Sequence, residues 1–364
     1  MIKIFFLFLI NFINSFQKVS KEYIELISWL KENGAIISNK ISMNEKNIEN
    51  RFIYTNSKIK KGEEIIFIPD KVILSFQNIR IAKFCRKAYG ISNEHDFNCI
   101  VYFLTIDREN KKSFFTPYYK YFPNIKLNHS ILNYSGKKIL KYLYTGIDDE
   151  IRIAQYFYEK ALEPLEENEN LGIIDEKFKD NFKKNFFYVT SRNFIRNEPK
   201  ELSAKNCLVP LLDLINHSFN FNCKYNYIRK KQGFVLYSVR NINSGEEITI
   251  NYGNLTNIEF FVGYDFVVKN NFYKYKISFY INNKKYNIKG NFNDEDIKTL
   301  INKIKEDNNI DKNTAKKYSI NALNEKKQKF EILKSEEDNL NLIYIFQEQI
   351  ELVNKMIKSI NKNI

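Results

Sequence analysis

Leu208 to Ser218 reads LVPLLDLINHS, an apolar run that ends in the polar pair Asn216 and His217. The run has the composition of a buried strand. Burying an amide or an imidazole without a hydrogen-bond partner costs roughly 1–3 kcal/mol per group. We therefore expect polar partners at this strand end, a position where functional sites are often built.

A second segment is expected to meet the first. Tyr237 to Tyr252 predicts a strand, an Asn-Ser-Gly turn and another strand. Ile248 and Ile250 alternate with polar residues, so the second strand has one apolar face. Tyr252 lies at the end of this strand, and its phenol is a candidate catalytic group.

These two segments, NHS and GEEITINYG, resemble the crossing segments of the SET-domain methyltransferases. The wider pattern resembles the subfamily of the Rubisco large-subunit lysine methyltransferase and the actin-histidine methyltransferase. Five further stretches occur in the family's order: WLKENG (Trp29–Gly34), IKKGEEIIFIP (Ile59–Pro69), FFTPYYKYFP (Phe114–Pro123), YVTSRNF (Tyr188–Phe194) and NIEFFVGYDF (Asn257–Phe266). Each stretch is common alone, but their order makes the resemblance specific.

The resemblance implies an α+β fold, in which a SET-domain β-fold with a pseudoknot-like crossing and a helical insertion precedes a mostly α-helical domain. The SET domain is expected over residues 20–268, with the insertion at about 81–200. Residues 269–364 correspond in position to the family's helical substrate-binding domain. The residue patterns agree, because Ile151–Leu165 predicts a helix, a hairpin with an Asn-Asn-Lys-Lys turn follows Asn270, and helices are predicted from Asp294 onward.

The resemblance also implies S-adenosylmethionine as the cofactor. Asn216 and His217 match the positions that hold its adenine and amino-acid parts, and Arg192 matches the arginine that helps hold its carboxylate. Arginine suits that task because it is always charged and presents a planar fork of donors. The remaining cofactor residues are Arg51, Phe266 and Asp213, the last placed to support the Asn-His turn.

Tyr252 matches the catalytic tyrosine. A phenol stays largely protonated at neutral pH, so the residue is expected to orient the acceptor nitrogen and stabilise charge rather than act as a strong base. Tyr264 and Phe194 are the expected substrate-binding residues. Phe194 favours lysine over histidine, because an aromatic wall suits a methylene stem and leaves an imidazole N–H without a partner. We expect a protein partner that presents a lysine, and a monomeric enzyme.

Two alternatives remain open beside lysine methylation. The family usually has Gly-Arg-Gly at the cofactor pocket, where this chain has Asn50, Arg51 and Phe52, and glycine is the residue that allows close backbone approach. This departure permits a SET-fold scaffold that binds peptides without catalysis. The second alternative is a protein-histidine methyltransferase. The trio Asn216, His217 and Tyr252 argues against a scaffold, which does not need it.

The composition of the chain limits which other classes of protein it can belong to. The chain has 364 residues, 57 basic and 43 acidic side chains and a net charge of +14, but its lysines are dispersed, which disfavours nucleic-acid binding. The three histidines, and the cysteines Cys85, Cys99, Cys207 and Cys223, lack zinc-site spacing. Residues 1–19 have the form of a signal or targeting segment too short for a stable membrane span, and localisation stays open.

Overall fold

The computed structural model describes residues 19–45, 51–76, 78–89, 96–122, 142, 145–168, 174–196 and 206–363. The predicted N-terminal signal segment, apart from its last residue, and Asn50, His95 and His129 lie outside these ranges. The chain divides into two compact units, one formed by residues 1–125 and 161–253 and the other by residues 126–160 and 254–364. The domain division predicted from the sequence stays a prediction, because compactness alone does not define an independently folding domain.

The helices of the described ranges are α1 (Lys21–Glu32), α2 (Ile79–Tyr89), α3 (Asp96–Asp107), α4 (Thr116–Lys120), α5 (Ile147–Glu166), α6 (Glu176–Arg192), α7 (Asn257–Tyr264), α8 (Asp294–Asn308), α9 (Lys312–Ser335) and α10 (Leu340–Asn363). The strands are β1 (Ile36–Ile37), β2 (Ile41–Glu45), β3 (Arg51–Thr55), β4 (Glu64–Pro69), β5 (Leu74–Ser75), β6 (Asn193–Ile195), β7 (Asn206–Leu208), β8 (Asn216–His217), β9 (Cys223–Ile228), β10 (Gly233–Ser238), β11 (Thr249–Ile250), β12 (Ile277–Ile281) and β13 (Lys284–Ile288).

The first unit contains strands β1 to β11, which form several small sheets. The largest has the order β1-β4-β10-β9, and its central pair is antiparallel, with Phe67 opposite Val235. β4 contributes Ile65, Ile66 and Ile68, all nearly inaccessible to solvent, to the core. The other sheets have the orders β5-β7-β6 and β2-β3, and the short parallel pair β8-β11 completes the set. The predicted α+β class with a helical insertion is confirmed.

Helix α6 brings Arg192 to the sheet region. It begins at the N-cap Asp175, whose side chain accepts a hydrogen bond from the backbone N–H of Phe178 and so satisfies one of the helix's open donors. Phe182 and Phe186 are buried on its inner face. The helix ends at Arg192, because Asn193 adopts an extended conformation and starts β6.

The single strand expected from LVPLLDLINHS is wrong. β7 ends at Leu208, a 3-10 turn occupies Leu212–Leu214, and only Asn216 and His217 form a strand. The residues between are buried on all sides instead of alternating, a pattern that periodicity does not separate from a fully buried strand. Leu211 has a positive φ of 72°, which is unfavourable for a residue with a Cβ and turns the chain sharply here.

The second unit contains the β12-β13 hairpin and the helices α7 to α10. The predicted hairpin is present, but its turn is Asn282-Asn283 alone, and both residues have positive φ values, of 49° and 62°. A two-residue turn of this kind matches the twist of the strands, so Lys284 and Lys285 join β13 instead of the turn. The helix predicted over Ile151–Leu165 is present as α5, and helices occupy the region after Asp294.

None of the helices in the described ranges is long and apolar enough to span a bilayer. The four cysteines are buried thiols.

Candidate active site

The site is organised by the parallel pairing of β8 with β11. Asn216 lies opposite Thr249, and His217 lies opposite Ile250. Asn222 fixes the same crossing from one side, because its amide accepts from the Thr249 N–H at 2.9 Å and donates to the Glu247 carbonyl at 2.7 Å. This side chain is 2% exposed, so both bonds are made in a region shielded from water. Two segments distant in sequence thus end side by side.

Tyr252 follows the end of β11 and is held at two points. Its hydroxyl donates a hydrogen bond to the carbonyl oxygen of Ile215 at 2.6 Å. Its backbone N–H donates to Nδ1 of His217 at 3.1 Å. The phenolic proton is committed to the Ile215 carbonyl, so the hydroxyl oxygen acts as an acceptor toward any further group. This geometry fixes the direction in which the oxygen presents its lone pairs.

The tautomer and charge of His217 follow from the same contacts. Nδ1 accepts a hydrogen bond from the Tyr252 N–H, so the single N–H of the neutral ring is on Nε2. Burial lowers the pKa of His217 to about 4, which keeps the imidazole neutral at physiological pH. The ring packs edge-on against Phe219, with centroids 4.7 Å apart. His217 is therefore a fixed neutral group of the site.

Asn216 connects the crossing to β3. Its amide Nδ2 donates to the carbonyl of Arg51 at 3.1 Å and to Oε1 of Glu247 at 2.8 Å, and the residue is exposed. Arg51 is held in turn by Tyr121, because its Nη1 donates to the Tyr121 carbonyl at 3.0 Å and its guanidinium lies 4.5 Å from the centre of the Tyr121 ring. Arg51 and Asn216 are thereby brought to one place.

A buried carboxylate lies behind this crossing. Oδ2 of Asp213 accepts from the hydroxyl of Tyr118 at 2.6 Å and from the hydroxyl of Tyr188 at 3.2 Å. Both tyrosines are 1% exposed. Burial raises the pKa of Asp213, while the positive charge of Arg192 and the two tyrosine hydrogen bonds lower it. The net effect is a raised pKa for a carboxyl that is 5% exposed.

The guanidinium of Arg192 is hydrogen-bonded to the backbone of Asp213. Its Nη1 donates to the main-chain carbonyl of Asp213 at 2.6 Å, and its guanidinium lies 5.0 Å from the centre of the Tyr188 ring. The Nε of Arg192 is enclosed and has no hydrogen-bond partner among the residues that the structure describes. An enclosed cationic N–H without a partner is costly unless an acceptor reaches it. This donor suits the carboxylate of a bound ligand.

An aromatic column supports Arg192. Tyr188 stacks on Phe122 with centroids 3.8 Å apart, and the guanidinium of Arg108 lies 5.0 Å from the centre of the Phe122 ring. The FFTPYYKYFP stretch therefore supplies Tyr118 to the carboxylate and Phe122 to this column. The sequence identified the stretch but not these contacts, because partners brought together by tertiary packing leave no local pattern.

The remaining predicted residues make aromatic contacts within their own units. Phe194 is 5% exposed on β6, where its ring packs on Tyr225 and Phe234 with centroids 4.7 and 6.2 Å apart. Tyr264 and Phe266 belong to the second unit, where their rings form a cluster with that of Phe260. The sequence did not identify Phe260 as a member of this cluster. The roles predicted for Phe194, Tyr264 and Phe266 stay predictions.

A metal centre has no counterpart in the described ranges, because no three His, Cys, Asp or Glu side chains there lie close enough to hold an ion. The groups gathered at or behind the crossing are the phenol of Tyr252, the neutral imidazole of His217, the carboxamides of Asn216 and Asn222, the carboxylates of Asp213 and Glu247, and the guanidinium groups of Arg51 and Arg192. Such a set can bind an anionic and polar ligand and orient it beside Tyr252.

Comparison with known proteins agrees with the fold. The actin-histidine N-methyltransferase of Xenopus tropicalis is 25% identical over 260 residues, which cover 68% of this chain and 43% of that protein. The chain thus spans less than half the length of this relative. The crystal structure of the SET domain of LSMT bound to lysine and AdoHcy has a TM-score of 0.66 at 14% identity, covering 95% of this chain and 92% of that one.

A second structure, Rubisco LSMT bound to AdoMet, has a TM-score of 0.65 at 16% identity and covers 94% of this chain and 92% of that one. At these identities the similarity concerns the fold. The model of the family described as the SET domain matches residues 50–253, a range that begins one residue before Arg51 and ends one residue after Tyr252. More than half of the chain is matched, and the chain belongs to the SET-domain family.

Proposed function

We propose that this chain is an S-adenosylmethionine-dependent protein N-methyltransferase whose acceptor is a lysine side chain. The observation that carries the proposal is the double attachment of Tyr252, with its hydroxyl on the Ile215 carbonyl and its N–H on His217. A tyrosine held in this way presents its oxygen in one fixed direction at the crossing of β8 and β11. A scaffold that only binds peptides has no need of that orientation.

The residues present fit the cofactor. S-adenosylmethionine carries a carboxylate, an ammonium and an adenine, and when bound it supplies an electrophilic methyl group. The enclosed Nε–H of Arg192, which lacks a partner among the described residues, is suited to the carboxylate. Asn216 and His217 can hold the polar edges of the other two parts, and Arg51 borders the same place.

The protein's own contribution is orientation and proton control. An acceptor amine has to be uncharged when it attacks, and its proton passes to water. The Tyr252 oxygen can accept an N–H hydrogen bond from that amine and hold its lone pair in line. His217, neutral and bonded through Nδ1 to the Tyr252 backbone, keeps the phenol in register without exchanging protons itself.

Lysine is proposed as the acceptor because the similar SET-domain structure of LSMT is bound to lysine. Phe194 supports this proposal only through the resemblance to the lysine-modifying members, since its ring is buried against Tyr225 and Phe234. The similarity to an actin-histidine N-methyltransferase favours histidine as the second candidate. The substrate protein and the target residue therefore have to be identified together.

The first test is a calorimetric titration of the full chain with S-adenosylmethionine and with its demethylated product. We expect micromolar binding that Asn216→Ala weakens by about tenfold, since one amide that links the two segments is lost. Asn226→Ala is the matched control, because Asn226 is also exposed and donates to a tyrosine hydroxyl, that of Tyr237. No binding by folded protein would refute the proposal and support a scaffold.

Acceptor identity is tested on the same sample. Cell extract proteins are incubated with methyl-labelled cofactor and then hydrolysed to amino acids. We expect label in methyllysine. Label in methylhistidine alone would reject lysine and leave the methyltransferase proposal standing.

Tyr118→Phe is expected to raise the KM for the cofactor by about fivefold while kcat stays within about twofold. The change removes the shorter hydrogen bond to Asp213, whose backbone carbonyl holds Arg192, so the guanidinium loses support. A lost bond to a buried carboxylate is also expected to lower the free energy of unfolding by about 1.5–3 kcal/mol.

Tyr119→Phe is the matched control. Tyr119 is the neighbouring buried tyrosine, and its hydroxyl donates to the carboxylate of Asp107 at 2.8 Å, away from Arg192. It should lower stability similarly and leave the cofactor KM unchanged. Equal effects of the two variants on KM would assign Tyr118 a purely structural role.

A further inference from the structure

The segment of residues 265–274 follows α7 and contains neither helix nor strand. It carries Phe266, a residue to which the family resemblance assigns a cofactor role. Asp265 and Asn270 both have positive φ values, of 61° and 56°, so the chain turns sharply at each. Backbone groups outside regular structure need side-chain or water partners, and here side chains of α7 and α10 supply them.

One face of α10 holds this 265–274 segment. Nδ2 of Asn341 donates a hydrogen bond to the carbonyl of Asp265, the residue before Phe266, at 3.0 Å. The hydroxyl of Tyr344 accepts from the backbone N–H of Asn270 at 3.0 Å. Both turns of the segment are therefore attached to the same helix.

Glu348 provides a third attachment on that face, because positions 341, 344 and 348 are spaced by three and four residues. Its Oε1 accepts from Nζ of Lys274, at the end of the segment, at 2.5 Å. The same oxygen accepts from Nδ2 of Asn257, in α7, at 3.2 Å. Glu348 is only 8% exposed, so both bonds are made where water does not compete strongly.

Asn257 extends this network to the middle of the segment. Its amide is fully buried, with Oδ1 accepting from the N–H of Val268 at 2.9 Å and Nδ2 donating to the carbonyl of Val268 at 3.1 Å. Asn271 adds a bond from its Nδ2 to the Asn257 Oδ1 at 3.2 Å. One side-chain amide thus pairs with the backbone two residues after Phe266, as a neighbouring strand would.

The ring of Phe266 is only partly used in packing. It lies 5.1 Å from Phe260 and 6.0 Å from Tyr264, measured between ring centroids. Phe260 is fully buried, whereas Phe266 and Tyr264 are half-buried. Part of the Phe266 ring is therefore available to a ligand, and its direction depends on the backbone that the α7 and α10 side chains fix on both sides of it.

We propose that α10 positions the Phe266 ring for the cofactor, with Asn341 and Glu348 as positioning residues. The inference rests on the proposed function and on the cofactor role assigned to Phe266. Both residues act through the backbone of the 265–274 segment and make no contact with the cofactor themselves. A ring that is already held in its bound position loses less conformational freedom on binding, so this network contributes to cofactor affinity and not to the methyl-transfer step.

The test is a calorimetric titration of the full chain with S-adenosylmethionine. Asn341→Ala is expected to weaken cofactor binding by about fivefold, since one bond to the segment is lost. In a Phe266→Ala background the same change should weaken it by less than about twofold, because the ring that Asn341 positions is already gone. The matched control is Gln347→Ala, a half-buried amide of α10 that bonds to Glu351 and Lys334 instead, and it should leave affinity within about twofold.

Glu348 is tested by a pair of substitutions. Glu348→Ala is expected to weaken cofactor binding by about tenfold, because it releases both Lys274 and Asn257. Glu348→Gln should restore affinity to within about threefold of the wild type, since one oxygen accepts both bonds and an amide carbonyl can take its place. For every variant, kcat at saturating cofactor is expected to stay within about twofold of its wild-type value.

Two outcomes would overturn the role of α10 and leave the methyltransferase proposal standing. One is unchanged cofactor affinity in Asn341→Ala, and the other is equal weakening by that change with and without the Phe266 ring. Absence of cofactor binding by the folded wild-type chain would instead refute the proposed function, and the inference about α10 with it.

Discussion

Tyr252→Phe is expected to reduce kcat by about 10²–10³-fold while the affinity for S-adenosylmethionine changes by less than about threefold. The hydroxyl donates to the carbonyl of Ile215, and we propose that its oxygen accepts a hydrogen bond from the amine and orients it. Phenylalanine keeps the ring and the backbone bond to His217 but removes that oxygen. The effect is therefore expected in turnover, measured as initial rates of methyl transfer at saturating cofactor.

Tyr227→Phe provides the control for this variant. Its hydroxyl also lies in the first unit and donates to a fixed acceptor, the carboxylate of Asp70 at 2.8 Å. The variant should lower stability and leave kcat within about twofold, because the bond lies outside the crossing. If Tyr252→Phe kept full activity, the role assigned to this hydroxyl would be wrong.

Arg192→Met is expected to weaken cofactor binding by about 100-fold, the largest affinity effect of any single change. The variant removes the enclosed Nε–H, which we assign to the cofactor carboxylate, and a hydrogen bond between an arginine and a carboxylate contributes about 1.5–3 kcal/mol. It also removes the 2.6 Å bond to the Asp213 carbonyl. Calorimetry with S-adenosylmethionine measures the first effect, and thermal unfolding without cofactor measures the second.

Arg196→Met separates affinity from stability. Arg196 is a buried arginine, 9% exposed, paired with Asp70 and lying 3.6 Å from the centre of the Tyr227 ring. Its loss should destabilise the fold at least as much, because it leaves the Asp70 carboxylate without its cation. Cofactor affinity should be retained. A similar loss of affinity in both variants would show that Arg192 acts through folding alone.

The sequence predicts which polar groups meet at the β8-β11 crossing better than it predicts their hydrogen-bond partners. Asn216, His217 and Tyr252 stand out as polar groups at strand ends, and the structure gathers them at the β8-β11 crossing. The acceptor of the Tyr252 hydroxyl is a main-chain carbonyl, which any residue type provides. Its direction depends on the turn at Leu211, where the positive φ is not signalled by a glycine or asparagine.

Strand lengths show a second limit of the sequence. The alternation at Ile248 to Asn251 predicts a strand that ends at Tyr252, but β11 contains only Thr249 and Ile250. The Thr249 N–H and the Glu247 carbonyl bond to the Asn222 side chain, so these side-chain contacts replace the hydrogen bonds of a neighbouring strand. Pattern reasoning assumes that strands pair with strands, and it cannot anticipate an amide that takes a strand's place.

The pairing of β4 with β10 has a consequence for synthesis on the ribosome. Phe67 emerges long before its partner Val235, and at about 5–20 residues per second the intervening chain takes on the order of ten to thirty seconds to appear. During that interval β1 can cover one edge of β4, but the other edge and the side chains of Ile65, Ile66 and Ile68 await their neighbours. The nascent chain therefore exposes an aggregation-prone strand edge, the kind of surface that chaperones cover.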